Sequence, residues 1–250
     1  MGRLRAFISS MLPRFVHSRS SAPVCSLHRV ADVANNAVQI SRGNSNNKHV
    51  SLTDSQLAEL VDAVGAMNPE DLSIEKQRFI DEAHKYNDHQ SIVYMEIANK
   101  PNYTITVFVL PPGTSIPLHD HPRMYVVSRV LWGELNVKAY DIFPHDSLRL
   151  PEEQLFAKRN EHFRLPAGEV RALTPTASNV HSFAAEEWTA VFDVLLPPYD
   201  PAEDRSCTYY KVSPFENPQL HQQADAILEK CPCPRDFNTV ASDYNGIKID

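Results

Sequence analysis

The strongest constraint on the fold is a change of hydrophobic periodicity at Ser91. Downstream of this residue, short stretches rich in β-branched and aromatic residues alternate with turn signals such as Pro111-Pro112-Gly113 and Trp132-Gly133. Short strands separated by turns every ~8–12 residues are typical of β-sandwiches and barrels. The pattern predicts strands at residues 91–98, 103–110, 124–131, 134–140, 161–165, 170–174, 179–184 and 188–196.

Two helices are expected upstream of these strands. Thr53-Asp54-Ser55-Gln56 has the form of a capping box, and the apolar residues after it follow helical spacing. This pattern predicts a helix over residues 53–67, and a second, shorter one is expected over 75–86. The sequence therefore favours a small β-barrel with a helical flank.

Charge and glycine content exclude several classes of protein. The formal net charge is −7, whereas a general nucleic-acid binder needs a cationic face. The glycines are too scattered for a P-loop or a G-x-G-x-x-G turn, which excludes nucleotide binding by a glycine cradle. No apolar run approaches the ~20 residues of a membrane-spanning helix. We therefore expect neither a nucleic-acid partner nor a membrane partner.

The N-terminal segment differs from the rest in charge. Residues 1–42 contain six arginines, no lysine and one acid, Asp32. The start of the segment is rich in Arg and Ser, which indicates either a disordered basic tail or a mitochondrial transit peptide. We expect a tail or transit peptide over 1–42 and a single domain over 43–250. Four scattered cysteines suit a reduced intracellular compartment. The cytoplasm, extending to the nucleus, is expected, with the mitochondrion as the alternative.

His119 and His121 form the pair on which the functional argument rests. In a strand, residues i and i+2 face the same side, and two neighbouring imidazoles make half of a metal site. Gly113 lies six residues before the pair and Gly133 twelve after it. This spacing resembles the first motif of the cupin superfamily, a double-stranded β-helix barrel, but without the usual glutamate ligand. The second cupin motif carries a histidine on a later strand, and His181 matches it.

A narrower resemblance covers residues 52–248. Ile116-Pro-Leu-His-Asp-His-Pro122, Ser128-Arg-Val-Leu-Trp-Gly133 and Asp193-Val-Leu-Leu-Pro-Pro-Tyr-Asp-Pro201 resemble motifs of the cysteamine dioxygenase and plant cysteine oxidase family of cupin thiol dioxygenases. Arg205-Ser-Cys-Thr-Tyr-Tyr210 follows in the same order. The resemblance implies a mainly β cupin barrel and an enzyme that uses O2 to convert a thiol to its sulfinic acid. The implied substrates are cysteamine and proteins with an N-terminal cysteine.

The resemblance also implies the metal ligands. His119, His121 and His181 would bind Fe(II), one ion per chain, with O2 as co-substrate. Three neutral histidines without a carboxylate leave several coordination positions open. Buried histidines that simply hydrogen-bond without a metal are the alternative.

Four further residues match functional positions of the family. Asp193 matches its active-site acid, with a structural ion pair as the alternative. Tyr199 matches the tyrosine after the Pro-Pro turn and could instead only pack there. Cys207 and Tyr209 match a pair that can form a thioether crosslink, although a free cysteine is more often an ordinary buried residue.

Two departures concern access to the site. Arg123 stands where the family usually has glycine, which would permit a positive φ. Tyr125 replaces a smaller residue that is usual in the plant enzymes. No arginine is evident for a substrate carboxylate, which disfavours free cysteine. A monomer is expected. The alternatives are a zinc or other-metal cupin hydrolase or isomerase, and a non-catalytic cupin that binds small molecules.

Overall fold

A computed structural model describes residues 26–43, 49–145, 150–160, 162–213, 215 and 221–249. Three α-helices come first: α1 (Ser26–Gly43), α2 (Asp54–Gly65) and α3 (Lys76–Tyr86). Two short 3-10 helices lie at Pro69–Leu72 and Pro201–Glu203. Among the described residues, none of the helices has the length and apolar content needed to cross a bilayer.

The strands follow the helices and form two sheets. They are β1 (Ile92–Asn99), β2 (Thr104–Leu110), β3 (Ser115–Asp120), β4 (Tyr125–Trp132), β5 (Glu134–Ile142), β6 (Gln154–Arg159), β7 (Phe163–Pro166), β8 (Val170–Leu173), β9 (Val180–Ala185), β10 (Thr189–Leu196), β11 (Tyr209–Ser213), β12 (Ala226–Cys231) and β13 (Thr239–Ala241). The first sheet has the order β13-β1-β2-β10-β4-β8, and the second has the order β6-β12-β11-β3-β9-β5-β7. A further pairing of β6 with β5 closes six strands of the second sheet into a ring.

The helices cover one face of the first sheet. α2 contacts β4 and β8, and α1 contacts α2 and β10. The largest apolar cluster joins Leu27 and Val30 of α1 and Leu60 of α2 to Phe192 and Val194 of β10. Every residue of β10 is buried as a result. This agrees with its nearly continuous apolar sequence, since a strand covered on both faces lacks alternation. The predicted fold class, a mainly β cupin-type barrel with short N-terminal helices, is confirmed.

Local signals place several elements correctly. Thr53 caps α2, and its side chain and that of Gln56 form the reciprocal bonds of a capping box. Gly133 links β4 to β5 with φ +78°, and a Cβ there would lie 2.6 Å from the carbonyl oxygen of Trp188. This turn therefore requires glycine.

The structure differs from the sequence expectation over residues 26–42, which were assigned to a basic tail. These residues form most of α1, and one face of this helix is buried in the domain core. Arg29 and Arg42 raise the local positive charge without preventing this packing, because both lie on its less buried face. Residues 1–25, the rest of the segment assigned to a tail or transit peptide, lie outside the described residues. The strands β6, β12 and β13 were also not expected.

We expect α1 to contribute directly to the stability of the domain. Leu27→Ala removes a fully buried side chain and should lower the free energy of unfolding by about 2–5 kcal/mol, since it leaves a cavity. Ile40→Ala in the same helix, where the side chain is 52% exposed, should change it by less than about 0.5 kcal/mol. Urea unfolding measures both. Equal, small effects would mean that α1 is not part of the folded core.

Candidate metal centre

Three histidine side chains converge from two neighbouring strands of the second sheet. His119 of β3 stands directly opposite His181 of β9 in the strand register, and His121 follows the end of β3. Their ligand atoms all lie within 4.8 Å of one another. In the described part of the chain, they are the only group of three or more His, Cys, Asp or Glu side chains so placed. The strand register therefore brings together all three predicted ligands.

Hydrogen bonds fix the orientation of two of these rings. Nδ1 of His119 lies 2.8 Å from the carbonyl oxygen of Pro117, which can only accept, so this nitrogen carries the proton. The Tyr199 hydroxyl lies 2.7 Å from both the Asp120 carbonyl oxygen and Nδ1 of His121. Tyr199 has one proton to give, and it donates that proton to the carbonyl. Nδ1–H of His121 then donates to the Tyr199 oxygen, and Nε2 of both histidines keeps a free lone pair.

The separation of the ring nitrogens fits a shared metal ion. Nε2 of His121 and Nε2 of His181 are 3.1 Å apart. Two nitrogen ligands at about 2.1 Å from one ion and at roughly a right angle would be about 3 Å apart. The donor set is therefore compatible with a transition metal, for which neutral imidazole is a common ligand.

The electrostatics of the three rings favour the neutral form. Burial lowers the pKa of His119, and burial together with the neighbouring imidazoles holds the pKa values of His121 and His181 well below their usual range. Neutral rings can accept a metal without first losing a proton. The site is thus poised to bind a cation at neutral pH.

Buried polar residues that sequence reasoning missed hold the His121 segment in place. The Asn179 side chain accepts a hydrogen bond from the His121 backbone N–H (3.2 Å) and donates to its carbonyl oxygen (2.8 Å). The Asp120 carboxylate accepts from the Thr208 backbone N–H (2.7 Å) and from the Tyr210 hydroxyl (2.9 Å). Asp120 thus points away from the ligands, since successive residues of a strand face opposite sides, and ties β3 to the segment before β11.

A cavity of about 450 Å³ leads from the surface to the three histidines. Its inner walls are mostly apolar and include Ile116, Phe183 and Leu195. Among the residues that the structure describes, no lysine or arginine lines it. Asp193 lines the same cavity and is 6% exposed. Burial raises its pKa to about 6, although a hydrogen bond from Ser128 opposes the shift.

Cys207 and Tyr209 also line the cavity. Their side chains are within hydrogen-bonding reach of each other, and Cys207 also contacts Tyr199. Burial raises the pKa of the Cys207 thiol to about 11, so the thiol form predominates at neutral pH. The structure places the pair side by side, as a crosslink would require, and the crosslink itself stays a prediction.

Comparison with known proteins identifies the family. The family model PCO_ADO matches residues 63–249, about three quarters of the chain. The chain belongs to the PCO_ADO family. A probable 2-aminoethanethiol dioxygenase of Dictyostelium discoideum is 30% identical over 62% of this chain and 71% of its own length.

Two further relatives are similar at the same level. Plant cysteine oxidase 2 of Arabidopsis thaliana is 31% identical over 63% of this chain and 61% of its own length. The human 2-aminoethanethiol dioxygenase is 33% identical over 58% of this chain and 59% of its own length. The matches thus span about three fifths of each of these two relatives. Among solved structures, an RmlC-like cupin from Desulfovibrio desulfuricans aligns with 44% of this chain and 85% of its own, at 21% identity and a TM-score of 0.33.

The two departures from the PCO_ADO pattern do not obstruct the cavity. Arg123 adopts the left-handed conformation with φ +58°, which glycine would adopt without strain. Its guanidinium donates to the Glu203 carbonyl oxygen. The Tyr125 hydroxyl accepts from the Leu52 backbone N–H at 3.2 Å, and its ring packs in the core beside the helices. Neither side chain lines the cavity.

The raised pKa of Asp193 predicts a pH effect on stability. In the unfolded chain this carboxyl titrates near ~3.9, whereas in the folded protein its pKa is about 6. Between these values the folded state binds the proton more tightly, so raising the pH destabilises it. In metal-free protein, the unfolding free energy of the wild type relative to Asp193→Asn should fall by roughly 2 kcal/mol between pH ~4 and ~6, and by roughly 3 kcal/mol over the whole titration.

Chemical denaturation of both proteins across this pH range measures the difference. The histidines are present in both proteins, so their own titration cancels from the comparison. If the difference in unfolding free energy between the two proteins stayed constant or rose with pH, it would contradict burial of a carboxyl group without an ion-pair partner at residue 193.

Proposed function

We propose that this protein is a non-haem Fe(II) thiol dioxygenase that converts R–SH and O2 into the sulfinic acid R–SO2H. The observation that carries the proposal is the group of three neutral, buried histidines at the inner end of a cavity. Within the described part of the chain, this group includes no carboxylate, and no lysine or arginine lines the cavity. The names of the PCO_ADO relatives support the same chemistry. Both oxygen atoms end on the sulfur, which the reaction oxidises.

His119, His121 and His181 would hold the iron. When bound, Fe(II) supplies positions for a thiolate and for O2 and allows electrons to pass between them. The apolar side chains of Ile116 and Phe183 line this end of the cavity and would disfavour water there. Tyr199 does not need to touch the substrate to matter, because it accepts the Nδ1–H of His121 and so fixes the ring that presents Nε2.

Asp193 would bind the amine of the substrate. Its Oδ1 atom is buried without a hydrogen-bond partner among the described residues, and a partner inside the cavity is required to offset the cost of burying it. A substrate ammonium group offers both a hydrogen bond and a positive charge, which would favour the ionised carboxylate. Among the described lining residues, no lysine or arginine is present to pair with a substrate carboxylate. The substrate class is therefore a thiol with a nearby amine and no nearby carboxylate: cysteamine, or a protein with an N-terminal cysteine.

His181→Ala should abolish both iron retention and turnover. With cysteamine and a Cys-initiated peptide in air-saturated buffer, the iron-loaded wild type should consume O2 and add two oxygen atoms to the thiol. The exposed His84→Ala variant should match the wild type. Metal content, O2 uptake and product mass are the measurements. Full activity of His181→Ala would overturn the ligand assignment, and bound zinc without O2 uptake by the wild type would favour a hydrolase.

Tyr199→Phe should weaken metal binding while leaving the fold intact. The substitution removes the oxygen that accepts Nδ1–H of His121, and loss of such a partner typically costs about 10–100-fold in metal affinity or activity. Tyr86→Phe is the matched control, since Tyr86 is 69% exposed. Competition with a metal chelator gives the dissociation constants. Unchanged affinity in Tyr199→Phe would show that Tyr199 only packs beside the ring.

A further inference from the structure

A row of polar side chains crosses the first sheet from the mouth of the cavity to its inner end. Glu96 of β1 pairs with Thr106 of β2, Thr106 pairs with Asp193 of β10, and Asp193 pairs with Ser128 of β4. Residues directly opposite each other on neighbouring strands point to the same face of a sheet. Glu96, Thr106 and Asp193 all line the cavity, so the row follows its wall.

Two atoms of this row lack the hydrogen bonds that their burial requires. In the part of the chain that the structure describes, Oγ1 of Thr106 and Oδ1 of Asp193 are buried without a partner. The two residues are 3% and 6% exposed. Buried polar atoms in native proteins are normally satisfied, and both residues line one cavity. Their missing partners point to a ligand that enters from the mouth.

Glu96 marks the outer end of the row. It is exposed, and it accepts hydrogen bonds from the Asn99 amide at 3.2 Å and the Tyr94 hydroxyl at 3.4 Å. These neutral partners orient the carboxylate without neutralising its charge. With Asp193 inside and no lysine or arginine among the described lining residues, the cavity presents negative charge at two depths. Such a field attracts a ligand with two positive charges.

We propose that Glu96 and Thr106 form an outer subsite for peptides that begin with cysteine. This subsite selects peptides in which the second or third residue is lysine or arginine. The inference rests on the thiol dioxygenase function proposed above. The peptide ammonium would occupy the inner end beside Asp193, and the basic side chain would pair with Glu96. Thr106 Oγ1, between them, would accept a backbone N–H of the peptide.

The spacing of the strands agrees with this arrangement. Glu96 and Asp193 are two strands apart, which corresponds to roughly 10 Å at about 4.8 Å per strand. An extended peptide advances about 3.3 Å per residue. Its second or third residue therefore lies within reach of Glu96 for a long, flexible basic side chain. Cysteamine is too short to reach this subsite.

The test compares peptides that differ only in charge. Cys-initiated peptides with Lys, Ala or Glu at the second position, and a parallel set varied at the third, are oxidised by iron-loaded wild type, Glu96→Gln and Glu96→Lys. Preferences are ratios of kcat/KM within each variant, so changes in overall activity cancel. The wild type should prefer the Lys peptide over the Glu peptide by about tenfold in at least one set. This magnitude combines the attraction of Lys to Glu96 with the repulsion of Glu from it, both between partly exposed charges. Added salt should reduce the ratio.

The substitutions should change the ratio in a defined order. Glu96→Gln should reduce the preference for Lys to below about twofold, and Glu96→Lys should reverse it. Glu59→Gln and Glu59→Lys are matched controls. Glu59 is exposed on α2, so these substitutions alter the net charge by the same amount as those at Glu96 but outside the cavity. Both controls should keep the wild-type ratio. Equal oxidation of all peptides by the wild type would overturn the subsite and leave the proposed function standing.

Binding separates the two proposals. Peptides with Ser in place of the first Cys cannot be oxidised, and fluorescence anisotropy of labelled versions gives their dissociation constants with metal-loaded protein. Tighter binding of the Lys peptides that Glu96→Gln abolishes would support the subsite, even if no thiol were oxidised and the proposed function failed. Binding that is equal for Lys and Glu peptides would overturn the subsite regardless of activity.

Discussion

The rest of the site depends on the burial of three imidazoles within 4.8 Å of one another. Each ring must be neutral, because a charged ring in this place would be desolvated beside two others. Each must also turn Nε2 inward, and the acceptors at Nδ1 of His119 and His121 achieve this. Tyr199 is hydrogen-bonded to the His121 ring, and the Asn179 side chain is hydrogen-bonded to the His121 backbone. The loops that carry these two residues therefore form part of the metal centre.

The two sheets have different roles around this centre. The second sheet supplies the metal ligands, because β3 and β9 are neighbours in it and His119 faces His181. The first sheet supplies the polar row that includes Thr106 and Asp193. The helices cover the outer face of the first sheet, which makes β10 apolar along nearly its whole length. Asp193 is therefore exceptional within its strand, because its side chain lines the cavity on the other face of the sheet.

The strands, helix α2 and the pair His119 and His121 were predictable because their signals are local, whereas His181 was assigned only by the resemblance to cupins. Strand alternation, the Thr53 capping box and the spacing of His119 and His121 each lie within a few residues. The role of Asn179 was not predictable, since it acts through hydrogen bonds to a segment 58 residues away. Helix α1 was missed because its arginines suggested a basic tail. Its Leu27 and Val30 are buried only through contacts with α2 and β10, which lie far away in the sequence.

The separation of roles between the sheets has a consequence for specificity. The register that holds the imidazoles involves β3 and β9, while the charge at the mouth of the cavity belongs to β1 at the far side of the other sheet. A substitution at Glu96 changes no hydrogen bond that orients His119 or His121. Substrate preference can therefore change at the mouth while metal binding is preserved, because the two properties depend on different strands. The buried Asp193 is less free to vary, since it lies in the core of the first sheet.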